Sequence, residues 1–103
     1  MLYQNKTNGN YYLLNESDNL GYDCYSFTKD KEQIDGFFPF SADLCCCDTE
    51  EERKAELAFI DRWDNQMTEK NRINYCLEQM GTSLNECILI EDNELEDELF
   101  YSV

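Results

Sequence analysis

The chain has 103 residues, enough for one modest core that buries roughly 60 to 65% of the unfolded surface. Its 42% hydrophobic and 14% aromatic content excludes wholesale disorder. With 23 Asp and Glu against 8 Lys and Arg and no His, the formal charge is −15, which excludes unaided attraction to nucleic acid or an anionic membrane and points to a cationic partner.

From the N-terminus, "MLYQNKTNGNYYLL" has neither a basic leader followed by an apolar region nor a stretch long enough to span a bilayer. A cytoplasmic location is the expectation. There the sequons at Asn5 and Asn15 have no consequence, and the cysteines at 24, 45, 46, 47, 76 and 87 are expected as free thiols. Leu2 and Tyr3, the turn chemistry of Asn8-Gly9 and the run Tyr11–Leu14 predict a hairpin. After the turn "NESDNLG", Tyr22–Phe27 predicts a third strand of an antiparallel meander. Tyr22, Cys24 and Ser26 share one of its faces, and Asp23, Tyr25 and Phe27 the other. "TKDKEQIDG" has room for a single helical turn before Gly36. "FFPFSADLCCC" is aperiodic around Pro39 and reads as a loop anchored on the core by its phenylalanines, the alternative being an exposed aromatic contact loop.

A helix is predicted to start in "DTEEERKAELAFIDRW". Thr49 caps it, Glu52 stands three residues later, and Glu50 and Glu51 suit its positive end. Ala55, Phe59 and Trp63 recur every four residues, broadened by Leu57 and Ile60. A second helix starts near Thr68, carries Ile73, Cys76, Leu77 and Met80, and stops at Gly81. The two form a hairpin or one kinked helix. Cys87–Ile90 reads as a buried strand, although Ser83 and Glu86 also match a capping box. The expected fold is α+β, with a small antiparallel sheet of three to four strands packed against two helices. Residues 1–103 are expected to form one acidic domain, with 91–103 a partly ordered acidic tail.

The chemistry such a chain lacks narrows its function. Without His there is no imidazole base, no Ser-His or Cys-His pair and no His metal ligand. The glycines at 9, 21, 36 and 81 form no phosphate loop. Among so many carboxylates, pairs arise by chance and do not signal acid–base catalysis. Cys45-Cys46-Cys47 lacks the CxxC spacing of structural zinc sites and reads as small buried hydrophobes. "IEDNELEDELF" has no central Gly and does not fit a calcium loop. The expectation is a non-enzyme without metal or cofactor.

Glu86 to Val103 carries seven carboxylates and no basic residue, interrupted by large apolar side chains. If extended, the tail places Asp92, Glu94, Glu96 and Glu98 on one face at a repeat of roughly 6.6 Å, with Leu95, Leu99 and Tyr101 opposite. If helical, Leu95 and Leu99 pack four residues apart while Glu94 and Glu98 form another row. Asp92, Glu94, Glu96, Asp97 and Glu98 are the first candidate partner-binding row, and Glu50, Glu51 and Glu52 the second. Rows of fixed carboxylates imitate phosphates and can enter a groove whose Lys and Arg are arranged for nucleic acid. In size, charge and general character, not in any aligned motif, the chain resembles the small acidic proteins, often phage-encoded, that inhibit nucleases or host-defence complexes. Anti-CRISPR proteins and bacterial nuclease-immunity proteins are among them. The resemblance implies a DNA mimic that inhibits a basic nuclease or CRISPR effector by occupying its groove, and it transfers no residue roles. The alternative is an adaptor or assembly module that binds a basic protein without displacing nucleic acid. Homodimerisation through aromatic surfaces is compatible with either.

A charge of −15 opposes folding until salt screens it. Raising ionic strength from about 0.01 to about 0.15 M shortens the screening length from about 30 to about 8 Å. The thermal unfolding midpoint is expected to rise over that range, and a midpoint indifferent to salt contradicts the reading.

Overall fold

Asn5 organises the first turn. Its side-chain oxygen accepts from the amides of Thr7 and Asn8 at 2.8 and 3.0 Å, and Gly9 takes the left-handed φ of 77° that reverses the chain. This turn joins β1 (Leu2–Asn5) to β2 (Tyr11–Glu16), and β3 (Tyr22–Phe27) pairs antiparallel on the far side of β2. The structure, a computed structural model, describes residues 1–16, 22–37 and 49–103. Phe38, Pro39, Phe40 and the Cys45–Cys47 triplet, read as an anchored loop and buried thiols, lie outside the described residues.

Where a helical turn was expected, the chain instead makes β4 (Gln33–Phe37), antiparallel to β3. Thr28 closes the connection. Its hydroxyl accepts from the amides of Asp30 and Glu32, both at 3.2 Å, and Lys31 takes a left-handed φ of 69°. The pairing shifts register between Ser26 and Phe27, as a bulged hairpin does. The hydrogen bonds that make β4 a strand come from β3, so local propensity does not reveal them.

The helices begin where the capping residues put them. Thr49 accepts from Glu52 N at 3.1 Å and opens α1 (Glu50–Asn65); Thr68 accepts from Asn71 N at 3.2 Å and opens α2 (Glu69–Gln79). They are two separate helices. Arg72 of α2 donates to the carbonyls of Trp63 and Asp64 at 2.7 and 2.9 Å, occupying acceptors near the end of α1. Gly81, at φ 87°, stops α2. A short 3-10 turn (Leu84–Glu86) then leads into β5 (Cys87–Ile90) and α3 (Asn93–Tyr101). The strand expected at Cys87–Ile90 is therefore present, but it is not buried as expected: it lies at the sheet edge, with Cys87 buried and Ile88 and Leu89 exposed.

Among the described residues the fold is α+β, with a five-stranded antiparallel sheet, ordered β4-β3-β2-β1-β5, and three α-helices. The class agrees with the expectation, while the described residues form one more strand and one more helix than expected. The sheet is covered on both faces. On one, Tyr3, Tyr12, Leu14, Tyr22, Cys24 and Cys87 pack with Trp63 of α1 and Ile73, Cys76 and Leu77 of α2. On the other, Leu2, Leu13 and Phe27 pack with Leu99 of α3. Trp63 lies edge-on to Tyr22 and Tyr75, with ring centroids 6.2 and 5.8 Å away, and so binds α1 to both β3 and α2. Ala55, placed on the apolar stripe by its spacing, is exposed because α1 buries only Trp63.

Leu99 is 1% exposed. Leu99→Ala is expected to cost about 2–5 kcal/mol in urea unfolding, and a loss below about 1 kcal/mol contradicts tight docking of α3. Burial pushes the hydroxyls of Tyr3, Tyr12 and Tyr22 above their ordinary value of 10.0. Above about pH 10 the unfolded chain loses those protons while the folded chain keeps them, so stability falls as pH rises further. Denaturation midpoints at about pH 8 and pH 11 test this, and equal midpoints contradict it.

Candidate acidic binding surface

The C-terminal row of carboxylates folds as a helix, not as an extended strand, and this divides its members by role. Asp92 is the N-cap of α3, its Oδ1 accepting from the amides of Glu94 and Leu95 at 3.1 and 3.2 Å. Leu95 and Leu99, one turn apart, face the cluster of Leu2, Leu13 and Phe27. Glu96 and Glu98 stand on the two flanks of that leucine stripe, about 80° to either side of its centre at 100° per residue. Each reaches a cation held by the sheet. Glu96 Oε1 lies 2.8 Å from the amino group of Met1, and Glu98 Oε2 lies 3.2 Å from Nζ of Lys31 in the β3–β4 connection. The same rotation turns Glu94, Asp97 and Tyr101 away from the sheet. Tyr101 is 80% exposed and lies edge-on to Phe100 at 5.3 Å.

Of the five carboxylates expected to form a row, Asp92, Glu96 and Glu98 therefore have partners within the fold. Glu94 and Asp97 face outward, and Tyr101 joins them at a spacing of seven from Glu94, two helical turns along the same face. The extended reading had grouped Tyr101 with the leucines; the helical period is the signal that places it with the acids.

The second candidate row, Glu50, Glu51 and Glu52, occupies the exposed first turn of α1, where carboxylates suit the helix dipole. Glu50 also lies 3.9 Å from Nζ of Lys54 in an exposed pair. Since α1 packs on one face of the sheet and α3 on the other, the two rows do not form one surface.

Cys24, Cys76 and Cys87 are free and buried. A hydrogen bond with Cys76, then burial, pushes the Cys24 thiol well above its ordinary range; burial does the same for Cys87. Both are poor nucleophiles at neutral pH. Among the described residues no three His, Cys, Asp or Glu side chains gather into a metal-binding group, and no helix is long and apolar enough to cross a membrane. An open depression of about 350 Å³ beside α2 is lined by Arg62, Met67, Asn71, Asn74, Tyr75 and Glu78, away from either acidic row. Comparison with protein-family models, curated proteins and solved structures finds no match.

The capping role of Asp92 separates from binding. Asp92→Ala is expected to cost about 1 kcal/mol of stability and to reduce the helical circular dichroism of the C-terminal segment on mild heating. Unchanged stability contradicts the cap.

Proposed function

We propose that this protein is a non-catalytic binding protein that presents the outward face of α3 to a basic surface of another protein, and that this surface is one used by nucleic acid. The observation that carries the reading is the arrangement of α3: an acidic helix fixed by Leu95 and Leu99, with Glu94, Asp97 and Tyr101 turned to solvent. Fixed carboxylates attract a Lys- and Arg-lined groove over a distance set by salt, and the exposed tyrosine adds short-range contact that a phosphate chain lacks. The consequence is competition with DNA or RNA for a nuclease or a guided effector complex.

A second reading has its own support. Because Asp92, Glu96 and Glu98 are engaged within the fold, the outward charge on α3 is short, with about 4.5 Å of rise between Glu94 and Asp97. A short row suits an adaptor that joins a basic protein without displacing nucleic acid.

Affinity capture from the native host, with the partner identified by mass spectrometry, supplies the reagent for the test. The Glu94→Gln/Asp97→Asn double variant should fold normally and bind that partner about tenfold more weakly, at about 0.5–1 kcal/mol per exposed pair. Added salt should weaken binding, and duplex DNA or guide RNA should compete. Simultaneous binding of nucleic acid favours the adaptor. Affinity unchanged by both the double variant and salt rejects the role of α3.

A further inference from the structure

The sheet ends in two edges that differ in how they meet solvent. At the β4 edge the pairing is bulged, and the Asp35 carboxylate accepts from the Gly36 amide at 2.8 Å, so side-chain charge occupies that backbone. Bulges and charges of this kind are how edge strands avoid further pairing. At the β5 edge, Cys87–Ile90 carries no charge, no proline and no bulge in its pairing with β1.

The orientation of the β5 backbone follows from its register. Lys6 N donates to Glu86 O at 2.9 Å, and the ladder pairs Gln4 with Ile88 and Leu2 with Ile90. In an antiparallel ladder the bonded pairs alternate, so Ile88 and Ile90 point their N–H and C=O toward β1 while Leu89 points both away. The other side of β1 agrees: Asn5 N donates to Asn10 O, so odd positions of β1 bond β2 and even positions bond β5. The Cys87 N–H, also on the outer side, is taken by Leu84 O, leaving the carbonyl of Cys87 and both groups of Leu89 along the edge. Ile88 and Leu89, on opposite faces of the sheet, are 46% and 51% exposed. Glu86, Glu91 and Asp92 bracket this apolar edge and are all exposed.

We infer that the β5 edge is a docking site for an extended segment of a basic partner protein, which adds as a sixth strand beside β5. The segment has apolar side chains at the positions that meet Ile88 and Leu89, and Lys or Arg at its ends. Its backbone bonds the N–H and C=O of Leu89, and its terminal cations meet Glu86 and Glu91. A second copy of this chain is the wrong occupant, because pairing β5 with β5 brings the same carboxylates and two charges of −15 together. The inference goes beyond the α3 reading: it needs a cationic partner but no displacement of nucleic acid, and it uses different residues.

The test uses the full chain, isotopically labelled, with a synthetic peptide Lys-Arg-Val-Thr-Val-Thr-Val-Arg-Lys and a control in which Glu replaces every Lys and Arg. The basic peptide should slow hydrogen exchange of the Leu89 amide by about tenfold or more at saturation, leaving the Ile88 and Ile90 amides, already bonded to β1, little changed. The Leu89→Pro variant removes only an outward N–H, which an edge strand tolerates, and should weaken peptide binding by about tenfold or more. Glu94→Gln/Asp97→Asn should leave binding intact. Loss of binding in that double variant places the peptide on α3 and overturns the edge site alone. Bound peptide without Leu89 protection, equal binding of the acidic control, or a dimer with Leu89 already protected also overturns it. Because protection is read on the unaltered chain, a misfolded proline variant leaves the test decisive.

Discussion

The structure depends on a sheet that has to be covered on both faces. Tyr12, Leu13 and Leu14 are consecutive in β2 and all buried, and consecutive strand residues point in opposite directions. One helical layer leaves half of them in water. The hairpin of α1 and α2 closes the face of Tyr12 and Leu14 through Trp63, Ile73 and Leu77; α3 closes the face of Leu13 through Leu95 and Leu99. The second cover is made by the most acidic segment of the chain, so packing and repulsion oppose one another there. Burying a leucine contributes about 1.5–3 kcal/mol, whereas a like-charge pair one turn apart, such as Glu94 and Glu98, costs about 0.2–0.5 kcal/mol. Packing prevails, and the charge is carried into a fixed arrangement on the protein surface.

Much of this was legible in the sequence because its signals are local. The meander through Phe27 followed from turn residues and β-forming runs, α1 and α2 from Thr49 and Thr68, the stop at Gly81 from glycine, and β5 from an aliphatic run. The features that local signals do not carry are non-local. Gln33–Phe37 contains Asp35 and Gly36 and becomes a strand because β3 supplies its hydrogen bonds. The division of α3 into docking and outward acids depends on Met1 and Lys31, which lie 95 and 67 positions from Glu96 and Glu98. The segment itself alternates acidic and apolar residues in a way that fits both strand and helix periods. One further signal is local: the unbroken apolar run in β2 implies a layer on each face.

The chain places two kinds of surface side by side. β5 offers an uncharged edge, and after only Glu91 and Asp92 the same segment becomes the acidic helix. On the proposed reading, a partner drawn by charge to one would arrive beside the other. In the binding proposed above, long-range attraction would govern the rate of encounter, and short-range contacts at Tyr101, Ile88 and Leu89 would select among basic partners, since attraction by charge alone discriminates poorly.

The account stands on α3 being held as a helix against the sheet at physiological salt. Amide hydrogen exchange through residues 93–103 of the unaltered protein measures this most directly. The account predicts strong protection of the amides that bond within α3, Leu99 foremost, approaching that of β1 and β2. Exchange of those amides at the rate of an unstructured peptide, with the sheet still protected, would contradict it.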